Sequence, residues 1–204
     1  MKDSIFFDID TQYDFMHKDG MLYVPGAEKI IPKLKKITEF AKKKKINVIA
    51  STDKHTLKDK EIASGAFGAH CIRGTRGQKK IIETRLNGAV SVSTKRLTPE
   101  RIKKLKRIGR LMIEKQEYDA FSNPNLKLLL RGLKAAYVYG VATDYCVKAV
   151  VLNLCRMGIK TYVIKDAIKP VFKKNEKKDL ALFKKYGAKF LTVRGLIKRC
   201  EGIF

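Results

Sequence analysis

The stretch Ala136-Tyr-Val-Tyr-Gly140-Val-Ala-Thr-Asp-Tyr-Cys146-Val-Lys-Ala-Val-Val-Leu-Asn-Leu154 decides how this chain is read. Ala136–Tyr139 is an apolar, β-prone run of the kind buried on both faces of a parallel sheet. Gly140 permits a tight exit from it. Thr143 or Asp144 can cap a following helix, because their short side-chain oxygens accept the free N–H groups of its first turn. Val147–Leu154 is apolar almost all round, which predicts a buried helix. Cys146 then falls in the first helical turn, where free N–H groups and the positive dipole end favour a thiolate and an oxyanion formed beside it. Cysteine is also among the most buried residue types and often acts as a small hydrophobe, so the rest of the chain must separate nucleophile from core thiol.

Upstream, Ile5–Ile9 reads as the first strand and delivers Asp8 and Asp10 to its C-terminal end. In open α/β sheets that edge is where ligands bind, so Asp10 is a candidate base. Asp10 or Asp14 can instead cap the next turn. Period two puts Asp8 and Asp10 on one face, where mutual repulsion raises a pKa unless Asp8 pairs with a lysine. Ala27, Ile30, Ile31, Leu34, Ile37 and Ala41 recur at helical spacing among lysines, an amphipathic covering helix. Asn47–Thr52 is a second strand, completing a β-α-β unit with parallel neighbours.

That strand ends in Asp53-Lys54-His55, and His70 follows with Asp59 and Glu61 between. Two histidines and carboxylates supply nitrogen and oxygen ligands for a divalent metal with open positions. Gly65–Thr75 is a glycine-rich loop able to fold closely around a small ligand. Residues 76–98 read as a helix start and a hairpin near Asn87-Gly88. Pro99–Arg107 is a short basic helix, and Arg110–Glu114 is a third strand that carries Lys115 to the sheet edge. There an ammonium either lowers a thiol pKa or simply solvates. Downstream come a helix at Asn125–Gly132, the Cys146 region, a strand at Thr161–Ile164, a helix at Glu176–Tyr186 and a sixth strand at Phe190–Val193. The expected architecture is α/β: a three-layer Rossmann-like fold with a mostly parallel six-stranded sheet flanked by helices.

The 204 residues suffice for one well-buried domain. No apolar run approaches the ~20 residues of a membrane span, and Met1-Lys2-Asp3-Ser4 leads straight into a strand, so a soluble cytoplasmic protein is expected. Cys71, Cys146, Cys155 and Cys200 are scattered, which argues against a zinc ribbon or a disulfide scaffold. The net charge is +25, and the excess of Lys+Arg over Asp+Glu grows from 10 against 7 in residues 1–50 to 14 against 4 in residues 151–204. It forms no detachable basic arm and carries no aromatic recognition motif, so a solvated surface is favoured over nucleic-acid binding. The abundance of lysine is also compatible with a heat-adapted source.

Asp10 in Asp10-Thr-Gln-Tyr-Asp14-Phe15, Asp53-x-His55, His70-Cys71-x-x-Gly74-Thr75, Lys115 followed by Tyr118-x-x-Phe121, and Gly140-Val-Ala-Thr-Asp-Tyr-Cys146 together resemble the isochorismatase-like cysteine hydrolases. Within that superfamily the similarity is greatest to nicotinamidases and spans the first strand to the sixth. The resemblance implies a single isochorismatase-like hydrolase domain over 1–204. It also implies a triad with Cys146 as nucleophile, Asp10 as base and Lys115 as the cation holding both. A divalent metal, zinc first with iron, manganese or magnesium as other choices, would be held by Asp53, His55 and His70, with Glu61 as a candidate fourth ligand. Ala142 and Cys146 N–H groups would form the oxyanion hole, next to a cis bond between Val141 and Ala142. Phe15, Phe67, Tyr118 and Val141 would wall a flat ring, though each aromatic side chain suits ordinary core equally well.

The implied reaction is hydrolysis of nicotinamide to nicotinate and ammonia in NAD salvage. A homo-oligomer is compatible with the resemblance. Phe67-Gly68-Ala69 stands where Trp-Pro or Phe-Pro is frequent, and Lys54 where Trp is frequent; these differences bear on the substrate more than on the reaction type. The alternatives are a cysteine hydrolase of the same superfamily acting on another small amide or carbamoyl compound and, more distantly, a basic nucleic-acid-binding protein. The intact Asp53, His55 and His70 set argues against the first. Isochorismatase activity itself is set aside, because those enzymes lack the nucleophilic cysteine.

Overall fold

The structure, a computed structural model, describes residues 3–202. Its strands are β1 (Ser4–Ile9), β2 (Val48–Asp53), β3 (Val90–Val92), β4 (Arg110–Lys115), β5 (Ala135–Val141), β6 (Lys160–Lys169) and β7 (Lys189–Leu191). They form one sheet in the order β3-β4-β2-β1-β5-β6-β7, with every pairing parallel. The helices are α1 (Tyr13–Met16), α2 (Ile31–Lys43), α3 (Lys60–Ala63), α4 (Pro99–Ile108), α5 (Leu126–Leu130), α6 (Cys146–Arg156), α7 (Glu176–Lys185) and α8 (Val193–Glu201).

Alternation along β1 explains the three layers. Ile5, Phe7 and Ile9 join an apolar cluster with Leu105 of α4, Leu126 of α5, Val147, Val151 and Leu154 of α6 and Phe183 of α7. Phe6 points the other way, into a cluster with Leu34 and Ile37 of α2 and Leu196 of α8. All six β1 residues are buried, as a central strand covered by helices on both faces requires. Among the described residues no helix is long and apolar enough to cross a membrane.

The sheet has seven strands where six were expected. The additional one, β3, is a three-residue edge strand beside β4, too short for any periodic signal. The hairpin expected at Asn87-Gly88 is instead a turn leading into this parallel strand. The last strand ends at Leu191, and Val193, expected at the end of a strand, begins α8, whose N-cap Thr192 accepts a hydrogen bond from Gly195 N–H.

Chain direction around β1 positions the site. From β1 the chain passes on one side to β2, out to the edge strand β3 and back to β4 between them, then returns to start β5 on the other side of β1. The C-terminal ends of β1 and β5 therefore flank the switch point, where open α/β sheets bind ligands. Gly140, with φ 114°, is needed there for close approach: a Cβ on it would collide with the Ile9 carbonyl oxygen of β1.

Candidate active site

Four strands end at one place. Asp10 follows β1, Asp53 ends β2, Lys115 ends β4, and Cys146 opens α6 just after β5. The β2–β4 register sets Asp53 directly opposite Lys115. Asp10 has φ 47°, a left-handed conformation that aspartate tolerates better than most residues. Ser51 Oγ donates to Asp10 Oδ1 at 2.7 Å.

Lys115 is fully buried, and its ammonium is the hub. Nζ lies 3.0 Å from Asp10 Oδ2 and 3.8 Å from Cys146 Sγ, and it contacts Asp53 Oδ1. Asp10 and Cys146 are thereby brought to the same ammonium. Burial pulls the Lys115 pKa down, but Asp10 and Asp53 more than offset it, so the ammonium is held well above its ordinary value. Burial raises the Asp10 carboxyl despite the opposing pull of Lys115. For Asp53 burial acts upward too, but Lys115 and His70 prevail and hold it below the usual range. Burial likewise pushes the Cys146 thiol well up; Lys115 acts in the direction the sequence suggested but is outweighed. The sulfur therefore rests protonated, with a carboxyl in place to take its proton.

The cap expected from Thr143 or Asp144 is absent. Tyr145 occupies the N-cap position with no side-chain hydrogen bond to the helix. The Asp144 carboxylate instead accepts from Val171 and Phe172 N–H at 2.8 and 2.9 Å. The Val141–Ala142 bond is cis. The Asp8 question is settled by Lys80, whose Nζ lies 2.9 Å from Asp8 Oδ2.

On the other side of Asp53, ligand atoms of Asp53, His55 and His70 lie within 4.8 Å of one another. Asp53 Oδ2 is 4.0 Å from His55 Nε2 and 3.7 Å from His70 Nε2. His55 is completely buried; its Nδ1 lies 3.4 Å from Asp59 Oδ2, while its Nε2 has no hydrogen-bond partner. Burial lowers its pKa, keeping the imidazole neutral as ligation demands. His70 Nδ1 is 3.0 Å from the Gly68 carbonyl, which leaves Nε2 as the free donor atom. A buried imidazole Nε2 with no partner, beside a second imidazole and a carboxylate, fits a divalent cation. Glu61 Oε1 stands 3.9 Å from His70 Nε2, at the edge of the trio.

Cys146, Asp53 and His70 line one cavity of ≈ 290 Å³. All four residues expected as ring walls, Phe15, Phe67, Tyr118 and Val141, line it, as do Ala142 and Glu61. Phe15 is buried, whereas Tyr118 is 49 % exposed at the rim. Sequence reasoning did not anticipate Leu22, Val24, Tyr145, Val171 and Phe172 in the lining. Nor did it anticipate Gln12, which donates from Nε2 to the Asp53 carbonyl at 2.8 Å and accepts from Asp53 N–H at 2.6 Å. Asp14 accepts from Cys71 N–H at 2.7 Å, tying the His70 loop to α1. The sequence signal for Gln12 and Asp14 was their place in the Asp10-Thr-Gln-Tyr-Asp14-Phe15 motif.

The isochorismatase domain matches residues 4–195, and the chain belongs to that family of hydrolases. Among its members it is similar to the nicotinamidase of Saccharomyces cerevisiae, at 23 % identity over 198 residues, covering 80 % of this chain and 86 % of that protein. The solved pyrazinamidase of Pyrococcus horikoshii in complex with zinc superposes with a TM-score of 0.74 at 26 % identity, covering 93 % of this chain and 99 % of the other. The N-carbamoylsarcosine amidase of Thermoplasma acidophilum shares the fold, with a TM-score of 0.74 at 23 % identity over 93 % of this chain and 96 % of that one.

Proposed function

We propose that the protein is an amidohydrolase of the nicotinamidase type, converting nicotinamide to nicotinate and ammonia through a Cys146 thioester. The observation that carries this reading is one small cavity lined by the thiol, by two members of the Asp53, His55 and His70 trio and by aromatic side chains. The likeness to curated nicotinamidases supports the choice of substrate.

The reaction follows from the residues. Asp10 takes the thiol proton as Cys146 Sγ attacks the carboxamide carbon. Lys115 remains an ammonium throughout, balancing the carboxylate and the developing thiolate. The N–H groups of Ala142 and Cys146 stabilise the oxyanion, the latter being a helix donor with no intrahelical acceptor. Asp10 returns its proton to the departing amine, which leaves as ammonia. The same carboxylate then activates water to cleave the thioester, releasing the acid and restoring the thiol. Asp53, His55 and His70 would hold a divalent metal, which supplies Lewis-acid binding of the substrate's ring nitrogen and so orients the ring.

Ammonia release tests the reading, measured on nicotinamide, pyrazinamide and a panel of aliphatic amides and carbamoyl compounds, with metal content determined on the same sample. Turnover of nicotinamide that disappears in Cys146→Ala is expected. Turnover confined to carbamoyl or aliphatic compounds would move the assignment to another amidase of the family.

A further inference from the structure

The segment following β6 contributes Val171 and Phe172 to the cavity lining, although they lie far in sequence from every other part of the site. Phe172 is 47 % exposed, so its ring is only half covered by the protein. Its backbone is nevertheless fixed from beneath. Asp144 is 3 % exposed and spends both carboxylate oxygens on this segment, Oδ1 on Val171 N–H at 2.8 Å and Oδ2 on Phe172 N–H at 2.9 Å. One residue earlier, Thr143 N–H donates to the Lys169 carbonyl at 2.8 Å. The turn that delivers Cys146 is thus laced to the segment that delivers Phe172. Charge-assisted hydrogen bonds of this kind, shielded from water, fix geometry strongly.

A second aromatic residue, Tyr118, reaches the same rim from the loop after β4 and is also about half exposed. Deeper in, Phe67 packs edge-on against Tyr145 with ring centroids 5.5 Å apart. Two half-covered rings at the mouth of an apolar cavity are surface that a flat apolar guest would complete, because aromatic faces gain from stacked or edge contacts beyond simple area burial.

We infer that Phe172 is a specificity-determining residue, and that Asp144 is the positioning residue that holds its ring at the cavity mouth to select planar aromatic amides over non-planar ones of equal bulk. The inference rests on the amidase reading and deepens it, since it assigns the same cavity a shape preference.

Binding measured in the Cys146→Ala protein removes turnover from the question. Benzamide and cyclohexanecarboxamide, nearly equal in size but flat and puckered respectively, are titrated by calorimetry. Benzamide should bind more tightly, and Phe172→Ala should cut that preference about tenfold, the size of one aromatic contact plus part of its buried area. Phe172→Leu, which keeps apolar bulk without a flat face, should lose most of the same preference. Asp144→Asn replaces one acceptor by a donor facing an N–H, so it should shift the preference in the same direction by a smaller factor. A preference unchanged in both Phe172 variants, or no binding of either ring by the parent protein, overturns the inference. Loss of preference in a protein whose wild type ignores nicotinamide would keep the inference and refute the nicotinamide assignment. Nicotinamide turnover with an unchanged preference would do the reverse.

Discussion

Lys80→Met should be among the most damaging single substitutions outside the cavity. Asp8 is 1 % exposed on the central strand, and Lys80 is 6 % exposed. Lys80 Nζ sits 2.9 Å from Asp8 Oδ2, while Thr11 Oγ donates to Asp8 Oδ1 at 2.9 Å and lies 2.7 Å from Thr84 Oγ. Methionine fills the lysine's volume but leaves the carboxylate buried with one hydroxyl donor and no counter-charge. Stranding one partner of a buried pair costs about 3–5 kcal/mol. For a chain of this size that corresponds to a fall in Tm of about 6–20 °C. Removing both charges is a different perturbation, and Asp8→Leu combined with Lys80→Met should recover most of the loss, since apolar replacement of a buried pair is often near neutral. With no tryptophan in the chain, far-UV circular dichroism is the natural probe for guanidinium and thermal unfolding. A single variant within about 1 kcal/mol of wild type would refute the reasoning, because stranded buried charges cost several times that. So would a double variant as unstable as the single one.

Three other outcomes follow from the geometry. Activity needs ionised Asp10, whose carboxyl burial raises, so kcat/KM should climb with pH along a limb lying above the ordinary carboxylate range. Ser51→Ala removes a hydrogen bond to the charged form, so that limb should move about one pH unit higher, which a pH–rate profile would detect. Asp59 Oδ2 lies 3.4 Å from His55 Nδ1, so Asp59→Ala should weaken zinc binding about 10–100-fold in a titration of metal-free protein, and unchanged affinity would contradict its orienting role. Gly140→Ala drives a Cβ into the Ile9 backbone oxygen and should destabilise by about 4 kcal/mol or more in denaturant unfolding, with soluble wild-type-like protein as the contrary result.

The parts of this fold that were legible in the sequence are those where burial leaves an unbroken apolar run. β5 is such a run, and β1 and α6 come close to it, broken only by Asp8 in the one and by Lys148 and Asn153 before the last turn of the other; they fix the ends that carry Asp10 and Cys146. β3 escaped because three residues at a sheet edge have no period to read. The start of α8 escaped because Phe190–Val193 is β-prone whether or not it pairs, and only the Thr192 cap marks the boundary. Asp144, like Thr143, suits a local cap because short-range capping is what its type most often does, whereas its partners lie 27 and 28 residues further on. Lys115 was legible as an edge residue, but its contacts with Asp10, Asp53 and Cys146 depend on strand register. Phe172 carried no signal, since a cavity wall is defined by tertiary approach and not by sequence neighbours.

The most direct test of the account is to quench the metal-loaded protein in acid during steady-state turnover of nicotinamide and examine its peptides by mass spectrometry. The account predicts a nicotinoyl group on the Cys146 peptide, absent in Cys146→Ala and released from the peptide by neutral hydroxylamine. Nicotinate production with no acyl group on Cys146, or undiminished production by Cys146→Ala, would contradict it.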